Sequence, residues 1–230
     1  MGPQDRGAGG CAMKVLQCWD DGLVDDIRLA DLLRRHGARA AFALNPGLYG
    51  PERSFGWRAG EREVRRLALP ELTRVYDGFE IASHALTHPY LTDLPPDRLW
   101  EEVAESRRRL EALFRKPVRG FCYPFNAVND TVRQAVRAAG YAWTREDGEA
   151  GGAPGLPPPR VFRPACHALA EDFWPRYDAA RAGGGAFFFW GHSCDLANEA
   201  LWRDFERKIA AISADPEAEW CDPGDVCGSV

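Results

Sequence analysis

The chain has 230 residues, which is enough for one domain with a complete hydrophobic core and short for two. Apolar residues make up 45% and charged residues 27%, and the formal net charge of -5 argues against a basic nucleic-acid-binding surface. No apolar run approaches the roughly 18 residues that cross a bilayer, so we expect neither nucleic acid nor membrane as a partner.

In chain order, short apolar segments alternate with longer amphipathic ones. We predict a strand at 13–18, a helix at 25–36, strands at 40–44 and 79–83, a helix at 96–116, a strand at 118–122, a helix at 130–139, strands at 141–143, 161–162 and 186–190, and a helix at 198–212. Glycine and proline dominate residues 146–159, which predicts a long surface loop. This alternation is typical of parallel strands with crossover helices, arranged as a barrel or as a doubly wound sheet.

The N-terminal residues 1–12 are rich in glycine and polar residues and lack the apolar core of a secretion signal. We therefore predict a flexible leader over residues 1–12, one domain over 13–230 and a cytoplasmic location. The chain has seven cysteines and no CxxC pair, which favours free thiols and argues against a zinc site built from cysteine. A local bridge between Cys221 and Cys227 stays open.

Polar side chains that could carry chemistry follow three of the predicted strands. Asp20 and Asp21 come after the first strand, His84 and His88 after the third, and His192 after the strand at 186–190. The carboxyl ends of parallel strands form the functional face of α/β folds and barrels, so we expect these groups to meet. No GxGxxG or P-loop follows a strand, so nucleotide binding has no support.

The histidine pair indicates a metal site. If residues 84–88 form one helical turn, both imidazoles project to the same side, and a neighbouring carboxylate completes a set of two histidines and one acid. Three protein ligands with open positions are typical of catalytic zinc. The alternatives are that His84 and His88 are loop histidines, that one aspartate only caps the turn before Gly22, and that His192 is a core residue.

The order of these segments resembles the polysaccharide deacetylase family, carbohydrate esterase family 4. The resemblance spans roughly residues 15–193 and rests on four motifs: Asp20-Asp21-Gly22, His84-x-x-x-His88, Tyr123-Pro124-Phe125-Asn126 and Trp190-Gly191-His192. The last motif, together with residues 163–167, is similar to a bacterial subgroup without an obvious secretion signal. The resemblance implies a distorted (β/α) barrel with about seven parallel strands, making residues 13–230 a catalytic domain.

The implied activity is metal-dependent removal of acetyl groups from an N- or O-acetylated carbohydrate. By the resemblance, Asp21, His84 and His88 hold one divalent ion, most simply Zn²⁺. Asp20 is the general base and His192 the general acid, and the backbone N–H near Phe125 helps to hold the oxyanion. Tyr123 and Trp190 join Phe125 as expected substrate contacts; with Trp19 and Trp143 they could form a sugar-stacking wall, although aromatics near barrel strands are more often core.

One departure concerns the arginine that pairs with the base in many family members, because Cys122 occupies its place. We expect Arg163 to supply the guanidinium, with Arg160 in reserve. Two other functions remain open at this point. The chain could be an amidohydrolase that acts on a small non-sugar amide or imide, or a sugar-binding module without turnover on the same fold.

Overall fold

The computed structural model describes residues 12–147 and 160–227. The predicted leader, apart from residue 12, and most of the predicted loop at 146–159 lie outside these residues. Within the described part of the chain, no helix has the length and apolarity needed to cross a membrane. Cys221 and Cys227 are free thiols, so the bridge between them does not form.

The strands are, in chain order, β1 Met13–Asp20, β2 Ala41–Leu44, β3 Ser54–Ala59, β4 Arg62–Arg66, β5 Glu80–Ser83, β6 Gly120–Cys122, β7 Trp143–Arg145, β8 Arg160–Phe162, β9 Cys166–His167, β10 Ala186–Gly191 and β11 Ala218–Trp220. Eight of them form a curled parallel sheet in the order β8-β7-β6-β5-β2-β1-β10-β9, and β11 pairs with the start of β1. The predicted distorted (β/α) barrel is confirmed as a half-barrel sheet. The remaining strands, β3 and β4, form an antiparallel hairpin.

The helices are α1 Asp26–Arg35, α2 Leu69–Val75, α3 Pro96–Trp100, α4 Ser106–Phe114, α5 Asp130–Ala138, α6 Phe173–Ala182, α7 Glu199–Ala214 and α8 Pro223–Val226. A π-helical segment, Glu101–Glu105, joins α3 to α4, so the predicted helix at 96–116 is one helix with a π-helical centre. It ends where Arg115 takes a left-handed conformation, with φ of 53°.

Side chains on β1 alternate between two hydrophobic cores, as the period of a strand requires. Val15 and Trp19 pack in the large core that also contains residues of the helices, whereas Leu16 and Cys18 pack in a second core with residues of β2, β6 and β7. Continuing the alternation, Asp20 falls on the same side of the sheet as Leu16 and Cys18. The last residue of β1 therefore places a carboxylate at the carboxyl end of the sheet, on the side of the second core.

Candidate functional site

The side chain of Asp20 is buried at the end of β1 and forms a bidentate salt bridge with Arg145. Arg145 Nη1 and Nη2 donate to the two carboxylate oxygens at 2.7 and 2.6 Å. Burial alone would raise the pKa of Asp20, but the charge and hydrogen bonds of Arg145, with the nearby His84, lower it to about 2. Asp20 is therefore ionised at neutral pH.

The expectation that Arg163 pairs with Asp20 is wrong. Its guanidinium lies 3.7 Å from Glu146 instead, and the reserve, Arg160, donates to the backbone carbonyl of Val226. Arg145 takes the role because it is the register partner of Cys122 on the neighbouring parallel strand. Residues paired in this way point to the same side of a sheet, so β7 delivers a guanidinium beside the position at which the family arginine is missing.

This correction predicts different outcomes for two matched substitutions. Arg145→Lys should lower the free energy of unfolding by about 1.5–3 kcal/mol, the value of one hydrogen bond to a charged group. The reason is that a lysine ammonium cannot bind both carboxylate oxygens at once, as the planar guanidinium does. Arg163→Lys should change it little. Urea unfolding of both variants measures the difference, and equal losses would contradict the assignment of Arg145.

Asp21, His84 and His88 come together beside this ion pair. One carboxylate oxygen of Asp21 and one ring nitrogen of each histidine all lie within 4.8 Å of one another. His84 Nδ1 is 2.7 Å from the carbonyl oxygen of Cys122, and because a carbonyl only accepts, Nδ1 donates to it, which leaves Nε2 as the ring nitrogen that can serve as a metal ligand. Oδ1 of Asp21 is buried without a hydrogen-bond partner among the described residues.

The histidines converge without the helical turn that would have placed both imidazoles on one side. Residues 84–90 form a loop in which Ala85 and His88 both have φ of 61°, and the ring centroids of the two histidines are 4.7 Å apart. Asp21 is also left-handed, with φ of 76°, and its carbonyl accepts from Tyr49 Oη at 3.0 Å. Backbone strain of this kind costs about 1–3 kcal/mol per residue and is common at functional sites.

His88 is poised to be a neutral ligand. Burial and the neighbouring His84 lower its pKa to about 4, so its ring carries no net charge at neutral pH. Its Nε2 lies 3.7 Å from Oδ1 of Asp21, the carboxylate oxygen that lacks a hydrogen-bond partner. Neutral imidazole and carboxylate are the protonation states that bind a metal ion.

His192 also lies close to Asp21, with its Nε2 3.8 Å from Oδ2 of that residue. Its Nδ1 and backbone N–H both donate to Oδ2 of Asp195, each at 3.1 Å, and His167 Nε2 lies 3.0 Å from the same oxygen. Burial would lower the pKa of His192, but the Asp195 hydrogen bond and the charges of Asp20 and Asp21 raise it to about 9. His192 is therefore protonated at neutral pH, as an acid must be.

Three of these residues, Asp21, His88 and His192, line a cleft of about 680 Å³ together with Trp57, Arg66, Phe125, Asn126, Arg145, Asp147 and Trp190. Phe125 is 54% exposed, adopts φ of 54° and stacks on Tyr90 with ring centroids 4.1 Å apart. Trp190 packs against the Arg145 guanidinium at 5.0 Å. Two of the expected substrate contacts therefore lie in the cleft.

Tyr123 does not, because its side chain is buried in the large core and packs on Phe121 with ring centroids 5.1 Å apart. Trp19 and Trp143 are core residues as well, so the expected stacking wall of five aromatics reduces to Phe125 and Trp190. The sequence predictions missed Arg145, Asp195, Trp57 and Arg66. Asp195 had one available signal, since an acid three residues after His192 can return to it across a tight turn.

Comparison with known proteins places the chain in a family. A family model described as polysaccharide deacetylase matches residues 9–143, more than half of the sequence. The chain belongs to the polysaccharide deacetylase family. No curated protein has a significantly similar sequence.

Solved structures from this family share the fold. The chain resembles the Xyl-CE4 domain of a multidomain xylanase from the hindgut metagenome of Trinervitermes trinervoides, with TM-score 0.60 and 15% identity over 94% of this chain and 89% of that chain. It also resembles a family 4 carbohydrate esterase from Streptomyces lividans, with TM-score 0.59 and 19% identity over 90% and 91%. For a peptidoglycan deacetylase from Bacillus subtilis the TM-score is 0.59 with 11% identity over 95% and 92%.

Proposed function

We propose that this polysaccharide deacetylase family member hydrolyses acetyl groups from an N- or O-acetylated carbohydrate with the help of one divalent ion, most simply Zn²⁺. The observation that carries the proposal is the cleft itself, where an ionised aspartate, a two-histidine-one-aspartate cluster and a protonated histidine converge. Family membership and the carbohydrate esterases among its structural relatives support the same chemistry.

The residues present fit a divalent ion. Asp21, His84 and His88 offer two imidazole nitrogens and a carboxylate, the ligand types and number of a catalytic zinc site with open positions. The buried Oδ1 of Asp21 has no hydrogen-bond partner within the described chain, and a cation would satisfy it. When bound there, the ion would supply Lewis-acid stabilisation of the acetyl carbonyl.

The remaining residues move protons and hold charge. Asp20 takes a proton from the attacking water at a carboxylate oxygen, while Arg145 keeps that carboxylate ionised and fixed in orientation. A backbone N–H near Phe125 donates to the developing oxyanion. His192, oriented by Asp195, delivers a proton from Nε2 to the leaving nitrogen or oxygen. A sugar-binding module without turnover has no use for both a base and an acid, so these groups favour catalysis.

Metal content tests the ligand set independently of turnover. Wild-type protein loaded with Zn²⁺ and desalted should retain about one ion per chain. His84→Ala should lose most of it, because only Asp21 and His88 remain as protein ligands and water has to replace the missing imidazole. His36→Ala is the matched control, since His36 is half-buried beside Glu206 and does not line the cleft. Elemental analysis of the three proteins gives the result, and equal zinc in all of them would refute the ligand assignment.

The substrate class is tested by acetate release. Wild-type enzyme should release acetate from N-acetylated chitooligosaccharides or from acetylxylan. Turnover of small cyclic amides or imides, with no release from either carbohydrate, would instead show a non-sugar amidohydrolase. Binding of these carbohydrates with no turnover of any compound in the panel would show a binding module.

A further inference from the structure

The hairpin of β3 and β4 brings two residues to the cleft that the catalytic proposal does not use, Trp57 and Arg66. The hairpin packs against the segment that follows Asp20 and Asp21. Leu23 and Arg66 form an isolated antiparallel bridge, and Leu67 N–H donates to the Gly22 carbonyl at 3.1 Å. Arg66 is therefore held next to the catalytic segment by backbone hydrogen bonds rather than by a free loop.

The far end of the hairpin is anchored as well. Arg62 at the start of β4 makes an ion pair with Asp25 at 2.9 Å and donates to the backbone carbonyl of Cys194, two residues after His192. The hairpin thus contacts both the loop that follows Asp20 and the loop that follows His192. A side chain on such a support keeps its position relative to the reacting atoms, as a recognition residue must.

Arg66 lacks an acidic hydrogen-bond or ion-pair partner among the described residues. Within residues 12–147 and 160–227 it forms no ion pair, and its Nε is buried without a hydrogen-bond partner. Its guanidinium lies over the ring of Trp57, 5.5 Å from the centroid, which orients the group without consuming its hydrogen-bond donors. The other arginine of the cleft, Arg145, is fully engaged by Asp20.

Two acidic residues, Asp21 and Asp147, also line the cleft, and neither forms an ion pair with Arg66. Asp21 belongs to the proposed metal cluster, and Asp147 is held by its backbone N–H, which donates to Asn126 Oδ1 at 3.0 Å. An unpaired, half-buried guanidinium in a substrate cleft is stabilised when a ligand brings an anion to it. A carboxylate or a phosphate matches its fork of donors in geometry and in charge.

We infer that Arg66, supported by Trp57, binds an anionic group of the substrate, so that the preferred acetylated carbohydrate is acidic. This inference rests on the proposed function. The shared chemistry is that of a uronate carboxylate or a sugar phosphate. We therefore expect the effect of the anionic group in kcat/KM, which reports substrate binding and turnover together.

The test compares substrates that differ only in charge. One is a disaccharide of N-acetylglucosamine and glucuronate, and the other is the same disaccharide with the carboxyl group reduced to an alcohol. Wild-type enzyme should prefer the acidic disaccharide by about tenfold or more in kcat/KM, as a hydrogen-bonded charge pair provides. Arg66→Gln should bring this ratio close to one, and Arg66→Lys, which keeps the charge, should retain part of it.

Arg65→Gln is the matched control. Arg65 is on the same strand and carries the same charge, but it is exposed, does not line the cleft and lies 3.7 Å from Glu63. Its substitution should leave the ratio unchanged. A third substrate, N-acetylglucosamine 6-phosphate compared with N-acetylglucosamine, separates the two anions, because a preference there and not for the uronate assigns phosphate. A ratio near one for both wild-type pairs, or a ratio that Arg66→Gln does not change, overturns the inference.

Binding measured without turnover separates this inference from the proposed function. Calorimetric titration with the deacetylated disaccharide and its carboxyl-reduced form reports on Arg66 even if no acetate is released. Tighter binding of the acidic form, lost in Arg66→Gln and weakened by added salt, supports the inference whatever the activity. Normal deacetylation with equal binding of both forms would leave the proposed function intact and refute the anion site.

Discussion

Asp20→Asn is expected to lower kcat by about 10²–10⁴-fold, the usual contribution of a general base, while zinc content stays at the wild-type value. The amide has the shape of the carboxylate but cannot accept the proton of the attacking water. Asp20 itself is not in the proposed ligand set, which uses its neighbour Asp21. The loss should therefore appear in turnover and not in metal binding.

The substitution also removes the anion that neutralises Arg145 in a buried position. Breaking a buried ion pair typically costs about 3–5 kcal/mol, so a lower melting temperature is expected alongside the loss of turnover. Asp222→Asn is the matched control, because it breaks another arginine–aspartate pair, with Arg39, outside the catalytic cleft. That variant should keep its kcat and lose less stability than Asp20→Asn, because Arg39 is half exposed.

Kinetics at a temperature at which both variants remain folded, together with metal analysis, decides the question. If folded, zinc-loaded Asp20→Asn retains activity within a factor of about three of wild type, the base lies elsewhere. If both variants lose activity in proportion to their lost stability, Asp20 has a structural role only.

The strand ends were predictable from the sequence because parallel strands impose a simple geometry. Once a strand was placed before Asp20, before His84 and before His192, their convergence followed from topology alone. Period-two alternation along β1 also explains why Asp20 lies on the same side of the sheet as Leu16 and Cys18 of the second core. These parts of the site depend on local pattern and on fold class.

Arg145 was missed because the predicted strand at 141–143 ended before it. The observed β7 is Trp143–Arg145, and only this boundary pairs Arg145 with Cys122. Strand boundaries are the least certain feature of a sequence pattern, and a shift of two residues preserves the face of a side chain but changes its height on the sheet. The loop that brings His84 and His88 together was not predictable either, because left-handed residues such as Ala85 and His88 leave no periodic signal.

The β3–β4 hairpin gave no strand signal because its exposed side chains are mostly charged. Only Val64 and the half-buried Trp57 contribute to a small core with Leu23 and Cys194. What holds the hairpin is backbone pairing to the loop after β1 and the Arg62 contacts, which are tertiary interactions. The residues that shape the cleft therefore follow less directly from the sequence than the residues that carry out the reaction.

His192→Ala should have an effect that depends on the leaving group. An amine leaving an acetamido sugar needs a proton, so hydrolysis of that substrate should fall by about 10²–10⁴-fold without the acid. An activated phenolate leaves unprotonated, so hydrolysis of an aryl acetate should fall by about tenfold or less. The hydrogen bond from His192 Nδ1 to Asp195 supports the acid role, because it leaves Nε2 as the proton donor facing the Asp21 side of the cleft.

A packing role for His192 makes the opposite prediction. Its side chain is about 28% exposed, so truncation should create only a small cavity and a small change in melting temperature. If His192 served mainly to hold the cleft in shape, the variant would melt earlier and lose activity equally on both substrates, because a distorted cleft does not respond to the basicity of the leaving group. The ratio of the two activities, measured for wild type, His192→Ala and the control His36→Ala, therefore distinguishes proton donation from packing. A ratio in His192→Ala equal to that of wild type would remove His192 from the reaction.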